Sequence, residues 1–257
     1  MITVSTLFSG SDGNSTLIRT ENTAILIDAG KSCRAIRVSL ESLGMELGDI
    51  SAIFVTHEHK DHISALDVIS RKTKMPIHIS EPSSRDFFRK YEYTPNYIIH
   101  MGVNYKVKVG DMLLRTFPLP HDSAANVGYV VESDDGDRAA LATDMGFAVK
   151  TAFENMAGCR QIVIEANHDI EMLKTGLYPR GLKRRILSKM GHLSNEAAAE
   201  MCVGLAEKGC RKFMLAHLSD ENNTPEMAQS TVRNRLDEEG YTEVEVKTAP
   251  RCYALTL

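Results

Sequence analysis

The sequence predicts one domain, residues 1–257, that combines β-strands with α-helices. The chain has 257 residues, 43% of them hydrophobic, which is enough to bury a substantial core. Short apolar runs typical of strands alternate along the chain with longer amphipathic stretches typical of helices. No repeat, low-complexity segment or linker interrupts this pattern, so a division into several domains is not indicated.

The individual elements follow from local composition. Apolar, β-branched runs predict strands at residues 2–8, 15–19, 24–27, 52–56 and 252–256. Helical periodicity predicts helices at residues 32–43, 64–72, 81–90, 195–208 and 225–239. The last helix begins with Thr224 as its cap and Pro225 in its first turn, a typical helix start. Asp12 and Gly13 predict a hairpin turn between the first two strands, with Asn14 lining a cleft.

The run His-Glu-His-Lys-Asp-His at residues 57–62 directly follows one of these apolar strands. In an extended segment, residues two apart point the same way, so His57 and His59 can bind one cation. Asp61 and His62, beyond a bend, can then reach a second cation. Imidazole and carboxylate ligands suit zinc, manganese or iron, and the run contains no thiolate. The pattern predicts a site for two divalent metal ions, zinc or manganese; the alternative is a solvated loop that happens to be rich in histidine.

A site for two metals needs further ligands, and three more candidates stand at the ends of predicted strands. Each alone is more typical of a capping or hydrogen-bonding residue, but their common placement at strand ends favours a shared site. A carboxylate among them could bridge two cations through its two oxygens. The candidates are His121 after residues 112–117 and a Pro-Leu-Pro segment, Asp144 after residues 139–143, and His217 after residues 212–216.

In their order along the chain, these residues resemble the motifs of the metallo-β-lactamase superfamily. The resemblance begins with Asp28 after the strand at 24–27 and continues through the histidine run to His121, Asp144 and His217. It implies an α+β fold, a four-layer αββα sandwich with two mixed sheets face to face and helices outside. Finer motifs resemble the YycJ (WalJ-like) branch of that superfamily; they lie at residues 10–15, 165–169, 191–195 and 217–223.

The resemblance also implies a role for each matching residue. Asp28 would brace the histidine loop without touching metal, and Asp144 would bridge the two metals. The first metal would be held by His57, His59 and His121, and the second by Asp61, His62 and His217.

The formal charge of such a centre favours an anionic substrate. Two divalent cations, together with the negative charges of Asp61, Asp144 and a bridging hydroxide, leave a net charge of about +1. Metal-bound water with a pKa lowered toward about 7 would suit phosphodiester hydrolysis.

The histidines left over supply a candidate acid. In related nucleases, a histidine paired with a glutamate protonates the leaving oxygen, and His192 with Glu165 matches that arrangement. We therefore hypothesise that His192 is the general acid and that Glu165 orients it, with Asp61 as the third catalytic residue. The alternative is that His192 only marks a helix entry. His78 is interpreted as structural and His100 as a turn residue, whereas the role of His168 stays open.

The YycJ branch implies a 5′-to-3′ exonuclease acting on double-stranded DNA, with a link to repair. The net charge of −4 shows no overall basic footprint. However, basic residues cluster within residues 180–189 and 71–74, where they could follow a phosphate backbone or simply be solvated helix faces. Two alternatives remain, namely a small-molecule metallohydrolase acting on a lactone or a cyclic phosphodiester, and a metal-binding module without catalysis.

Two departures from other branches exclude further functions. His59 stands where the oxygen-reducing diiron relatives carry glutamate, which disfavours redox chemistry. The interval between Asp144 and His217 is too short for the cap domain inserted in RNA-processing relatives, which disfavours an RNA endonuclease of that capped type.

The five cysteines are an odd number without Cys-x-x-Cys spacing, which indicates a reducing compartment. With no secretion signal and no membrane-length apolar run, a cytoplasmic enzyme without membrane contact is expected.

Overall fold

The computed structural model describes residues 1–257, and its strands form two sheets of seven strands each. In chain order the strands are β1 (Thr3–Phe8), β2 (Ser15–Arg19), β3 (Ala24–Ile27), β4 (Ala52–Phe54), β5 (Ile77–Ser80), β6 (Tyr97–His100), β7 (Lys106–Val109), β8 (Met112–Leu119), β9 (Asn126–Ser133), β10 (Arg138–Ala142), β11 (Gln161–Glu165), β12 (Lys212–Ala216), β13 (Glu245–Thr248) and β14 (Leu255–Thr256). The first sheet has the order β14-β1-β2-β3-β4-β5-β6, and the second has the order β13-β12-β11-β10-β9-β8-β7.

The two sheets are built to the same pattern. In the first, the neighbours from β14 to β3 are antiparallel and those from β3 to β6 are parallel. In the second, the neighbours from β7 to β10 are antiparallel and those from β10 to β13 are parallel. As a result, β3 and β10 occupy equivalent places, each at the change from antiparallel to parallel pairing. Both sheets therefore end several parallel strands at one edge, where loops can bring side chains together.

The helices are α1 (Cys33–Glu41), α2 (Lys60–Ile63), α3 (Leu66–Lys72), α4 (Glu81–Phe87), α5 (Lys150–Met156), α6 (Ile170–Thr175), α7 (Arg180–Ile186), α8 (Asn195–Glu207) and α9 (Pro225–Glu238), with a short 3₁₀ helix at Leu47–Asp49. All five helices predicted from the sequence are present. As predicted, α9 begins with Thr224 as its cap, and the Thr224 hydroxyl accepts a hydrogen bond from the Met227 amide. None of the helices combines the length and the hydrophobicity that a bilayer crossing requires.

The buried apolar residues form three groups that define the layers. One group lies between the two sheets and draws on both of them, for example Phe54 on β4 and Tyr129 on β9. A second group packs the outer face of the first sheet against α1 and α3, and a third packs the outer face of the second sheet against α8 and α9. The expectation of a four-layer αββα sandwich is confirmed.

The structure corrects the interpretation of His100. This residue ends β6, where strand pairing with β5 places it opposite Ser80, and it does not lie in a turn. The His78 Nδ1 and His100 Nε2 atoms are 2.8 Å apart, and the two rings are stacked. His78 is also stacked on Phe54, which agrees with its predicted structural role. Burial lowers the pKa of His78 to about 4, so this pair is held in its neutral form.

Candidate metal centre

Three strands end with a residue in the left-handed backbone conformation, and these are the only non-glycine residues with positive φ in the chain. Asp28 after β3, Asp144 after β10 and His217 after β12 have φ values of 63°, 59° and 58°. Asp and His adopt this conformation more readily than most residues, but it remains uncommon and costs free energy. Because the chain turns sharply there, each side chain is held at the strand-end edge that the two sheets share.

The histidine run forms a compact loop between β4 and α2. His59 has an extended backbone and precedes the first helical residue, so the chain bends between His59 and Asp61, as the sequence predicts. The ring of His57 lies 4.5 Å from that of His59 and 4.2 Å from that of His62, measured between centroids. The run therefore directs several imidazoles at one small volume.

The structure brings all seven predicted ligands together in overlapping groups. Within each group the candidate ligand atoms lie within 4.8 Å of one another; three of the groups are His57 with His59 and His121, Asp61 with His62 and His217, and His57 with His62 and Asp144. A fourth group joins Asp144 and His217 to Glu165 and His192. The carboxylate of Asp144 lies between the first two groups. Its Oδ2 is 3.3 Å from His62 Nε2, and its Oδ1 is 3.7 Å from His121 Nε2. This is the position that a bridging carboxylate requires.

Several of these candidate ligand atoms have no hydrogen-bond partner within the protein and are suited to bind a metal ion. His57 Nε2, His217 Nε2 and Asp144 Oδ2 are buried and have no hydrogen-bond partner. Leaving buried polar atoms unpaired costs free energy, so their convergence needs a compensating ligand. Imidazole nitrogens and carboxylate oxygens at such spacing suit divalent metal ions. The donor set therefore fits the metals that the superfamily resemblance implies.

The Nδ1 atoms of candidate histidine ligands, which point away from the centre, make hydrogen bonds with neighbouring residues. Asp28 accepts bonds from the Thr56 amide at 2.8 Å, the Thr56 hydroxyl at 2.9 Å and His62 Nδ1 at 2.7 Å. His121 Nδ1 donates to the carbonyl of Gly191 at 3.1 Å. Such bonds at Nδ1 leave Nε2 facing the centre and fix the ring orientation. The predicted bracing role of Asp28 agrees with these contacts, since it touches His62 from behind.

Glu165, at the end of β11, lies behind the centre as well. Its Oε1 accepts hydrogen bonds from His192 Nδ1 at 2.8 Å and from His217 Nδ1 at 2.9 Å. Its Oε2 accepts bonds from the amides of Met145 and Leu193. The His192 ring lies 5.1 Å from that of His121 and 5.2 Å from that of His217, between centroids. His192 therefore faces the centre beside candidate ligands of both metals.

The charged forms of Glu165 and His192 stabilise each other. Burial disfavours both charged forms, but the attraction between them prevails. His192 holds the pKa of Glu165 down at about 2, and Glu165 raises the pKa of His192 above its ordinary value. The structure thus keeps a carboxylate against an imidazole that is protonated more readily than a free one.

Within the centre itself, the imidazoles differ in their protonation. Burial and the neighbouring His62 hold the pKa of His57 well below its ordinary range, so His57 is a neutral nitrogen donor. For His62, burial opposes the charged form, but the carboxylates of Asp28, Asp144 and Asp61 outweigh it and raise the pKa. Similarly, His217 and His62 overcome the effect of burial and hold the pKa of Asp144 well below its usual value. The carboxylate of Asp144 is therefore ionised and ready to bind cations.

Some supporting residues were not identified from the sequence. The Ser9 hydroxyl accepts a hydrogen bond of 2.7 Å from the backbone amide of His217, and Thr56 links Asp28 to the histidine loop. The position of Thr56 directly before the run was the only available signal. Asn14, expected to line the cleft, has its Nδ2 within 3.2 Å of Asp61 Oδ2. His168 is buried outside the ligand groups, and neither of its ring nitrogens has a hydrogen-bond partner.

Comparisons with known proteins agree with this site. A family described as the β-lactamase superfamily domain matches residues 23–218. The chain is 35% identical over 241 residues to exodeoxyribonuclease YycJ of Bacillus anthracis, an alignment that covers 92% of this chain and 90% of that protein. It is 37% identical over 238 residues to exodeoxyribonuclease WalJ of Streptococcus pneumoniae serotype 2 strain D39, covering 90% and 87%.

Solved structures share the fold at low sequence identity. The metallo-β-lactamase fold protein YhfI from Bacillus subtilis matches with a TM-score of 0.72 at 13% identity, over 100% of this chain and 99% of that one. The short form of human tRNase Z matches with a TM-score of 0.66 at 18% identity, covering 99% and 98%. With the family match and the two bacterial relatives, the chain belongs to the metallo-β-lactamase superfamily, as a YycJ-like hydrolase.

Proposed function

We propose that this protein is a dinuclear metal-dependent phosphodiesterase that degrades double-stranded DNA as an exonuclease from the 5′ end. The observation that carries the proposal is the complete set of seven candidate ligands in a chain whose relatives over about nine-tenths of its length are called exodeoxyribonucleases. A cytoplasmic location and a role in DNA repair belong to the same proposal. Five unpaired cysteines are compatible with a reducing compartment.

In this proposal the ligand groups correspond to two cations. His57, His59 and His121 would hold one, Asp61, His62 and His217 would hold the other, and Asp144 would contribute to both. Zinc and manganese both suit imidazole and carboxylate donors. When bound, such a pair of cations supplies hydroxide near neutral pH and neutralises charge on a phosphodiester.

The residues beside the ligands then have distinct tasks. His192 gives its proton to the oxygen that leaves phosphorus, because it lies beside candidate ligands of both cations without being one of the seven. Its Nδ1 is held by the buried carboxylate of Glu165. Glu165 orients His192 and keeps it protonated. Asp61, the third proposed catalytic residue, would hold a cation together with His62 and His217. The basic side chains of α7 follow the phosphate backbone of the substrate.

The test combines metal analysis with DNA degradation. Metal-loaded protein should shorten duplex DNA labelled at either end, with polarity from the 5′ terminus and strong inhibition by added salt. A lactone and a generic phosphodiester in parallel reactions distinguish a small-molecule hydrolase, which would consume them and leave DNA intact.

The acid is tested by His192→Ala. General acid catalysis contributes roughly 10²- to 10⁴-fold, so turnover should fall by about that factor while metal content stays the same. The matched control is His168→Ala, a buried histidine outside the ligand groups. Full turnover by His192→Ala at unchanged metal content would remove His192 from the mechanism.

A further inference from the structure

Three of the four sheet edges in this protein are protected against pairing with a further strand. The edges are β14 and β6 in the first sheet and β13 and β7 in the second. Strand β14 is only two residues long, β7 exposes Lys106 and Lys108, and β13 carries Glu245 and Lys247. Short length and charged side chains are common means by which proteins prevent an edge strand from pairing. Strand β6 has neither protection of charge nor such short length.

The exposed side chains of β6 are apolar. The strand contains no lysine, acidic residue or proline, and its two central residues, Ile98 and Ile99, are 41% and 40% exposed. Met101, directly after the strand, is 83% exposed. Tyr93 extends this apolar surface, because it is also exposed and its ring lies 6.4 Å from that of Tyr97, measured between centroids. An edge strand of this kind is a template for pairing with another chain.

The backbone groups of Ile99 face the open side of β6. On the other side, the carbonyl of Asn96 accepts a hydrogen bond from the amide of Ile77 at the start of β5. Backbone groups of successive residues in a strand face opposite sides, so those of Ile98 also face β5 whereas those of Ile99 face outward. Ile99 can therefore exchange two backbone hydrogen bonds with a strand added at this edge.

We propose that two copies of this chain form a dimer through β6, as an antiparallel pair in which Ile99 faces Ile99 of the second copy. A two-fold axis through this point places the same surface on both sides of the interface. In this register Tyr97 lies opposite Met101 of the second copy. The ring of Tyr97 already packs against Phe87 and Phe88, and a methionine sulfur makes favourable contacts with aromatic rings.

The charges on either side of β6 fit the same arrangement. Glu92 precedes Ile99 by seven residues, Lys106 follows it by seven, and both side chains are exposed. An antiparallel pair centred on Ile99 places the Glu92 flank of one copy beside the Lys106 flank of the other, on both sides of the axis. Such complementarity fixes the register of an interface. Because both the backbone and the charges complement themselves, a second copy of this chain is the occupant that fits.

This pairing leaves both metal centres open. Strands β3, β4, β5 and β6 run parallel to one another, and the candidate ligands lie where β3 and β4 end. An antiparallel pair points these strand ends in opposite directions in the two copies. The dimer is therefore independent of the proposed function, and the rate per centre should be equal in the monomer and the dimer.

Sedimentation velocity over a range of protein concentrations tests the dimer. The wild-type protein should move from a mass of 28.5 kDa toward twice that value as its concentration rises through the micromolar range, because a short edge strand forms a small interface. Ile99→Lys places like charges directly opposite each other and should weaken association by about tenfold or more. The matched control is Val38→Lys, which puts the same charge at an exposed apolar position on α1 and should associate like the wild type.

Reversal of the flanking charges tests the register with folded, surface-substituted proteins. Glu92→Lys or Lys106→Glu alone should weaken association, whereas a chain with both substitutions should regain it. A wild-type protein that stays monomeric throughout the micromolar range, or a dimer that Ile99→Lys leaves intact, would overturn the proposal. Failure of the doubly substituted chain to regain association would overturn the antiparallel register.

Discussion

Glu165 holds two imidazoles with one oxygen. Its Oε1 accepts hydrogen bonds from Nδ1 of both His192 and His217, so a single carboxylate orients the proposed acid and a proposed ligand. Its side chain is fully buried, and its other oxygen is satisfied by two backbone amides. Since every lone pair has a partner, the position of both rings depends on this residue.

Replacing Glu165 by glutamine should therefore change the pH profile. In the native protein the carboxylate raises the pKa of His192 against the effect of burial. Without that charge, burial prevails and the pKa falls, so the acid loses its proton at lower pH. The alkaline limb of kcat/KM for DNA should move to lower pH in Glu165→Gln.

The control for this measurement is Glu196→Gln, the same substitution at an exposed site on α8. Metal content has to be determined in parallel, because His217 shares the carboxylate with His192. An alkaline limb that stays in place while metal content is retained would contradict the proposed role of Glu165.

Asn14 supports the carboxylate of Asp61 through a hydrogen bond. Its amide pairs with the backbone of Gly10 through two hydrogen bonds of 3.0 Å, which fix its orientation, and its Nδ2 also lies 3.2 Å from Asp61 Oδ2. Removing partners of this kind typically costs 10- to 100-fold in metal affinity or activity. Asn14→Ala should weaken binding of one metal equivalent by about tenfold in calorimetric titration, whereas the exposed Asn22→Ala should not change it. Unaltered affinity in Asn14→Ala would show that Asp61 needs no such support.

For single residues, the sequence predicted which side chains come together but not which hydrogen bonds position them. The seven candidate ligands could be identified because each is a His or Asp at the end of an apolar strand, and the structure brings all of them together. Their binding of metal stays a prediction. The contacts of Ser9 and Gly191 could not be predicted, because each is with a residue distant in sequence, and Gly191 makes its contact only through its backbone.

The loops that carry these residues pack too closely for ordinary side chains. A Cβ atom built on Gly30 would lie 1.6 Å from the carbonyl oxygen of Asp61 and 2.6 Å from the amide of Asn14. The loop after β3 therefore touches both the turn after β1 and the start of α2. This contact lets backbone atoms of three separate elements support one cluster.

Gly30→Ala should consequently destabilise the protein strongly. Both neighbouring atoms belong to the backbone, so the clash can be relieved only by moving a loop of the centre. We expect a loss of more than about 3 kcal/mol in the free energy of unfolding, at the upper end for single substitutions. Gly48→Ala is the control, because no atom lies within 4 Å of its added methyl group. Equal unfolding midpoints of the two variants in denaturant would contradict this close packing.

Among the helices, the long periodic segments were predictable and the shortest was not. The helix predicted at 81–90 ends at Phe87, and the helix predicted at 64–72 begins at Leu66. The short helix α2 was not predicted, since its four residues are too few to show helical periodicity. His100 was assigned to a turn because Met101 and Gly102 follow it, whereas pairing with β5 extends the strand up to it.

Over the whole molecule, the family resemblance implied the arrangement of layers, whereas the order of strands could not be predicted from the sequence. The short β14 pairs with β1 even though almost the whole chain separates them, and no local signal reports such a long-range pair. The equivalent places of β3 and β10 became evident only from the pairing. That the entire chain folds as one domain stays a prediction.

The candidate ligands are shared between the sheets, and this arrangement predicts that metals stabilise the whole fold. The histidine run follows β4 of the first sheet, whereas Asp144 and His217 follow β10 and β12 of the second. Cations bound between them would cross-link the sheets and satisfy buried atoms that otherwise have no partner.

Metal at a thousandfold excess over its dissociation constant stabilises a protein by about 4 kcal/mol, which for a chain of this size corresponds to roughly 10 °C in Tm. Chelation should therefore lower the Tm by about that amount, and stoichiometric zinc or manganese should restore it. Asp144→Asn, which removes the proposed bridging charge, should melt at a Tm that responds much less to metal. An unchanged Tm after verified removal of metal would mean that the sheets hold this cluster without cations.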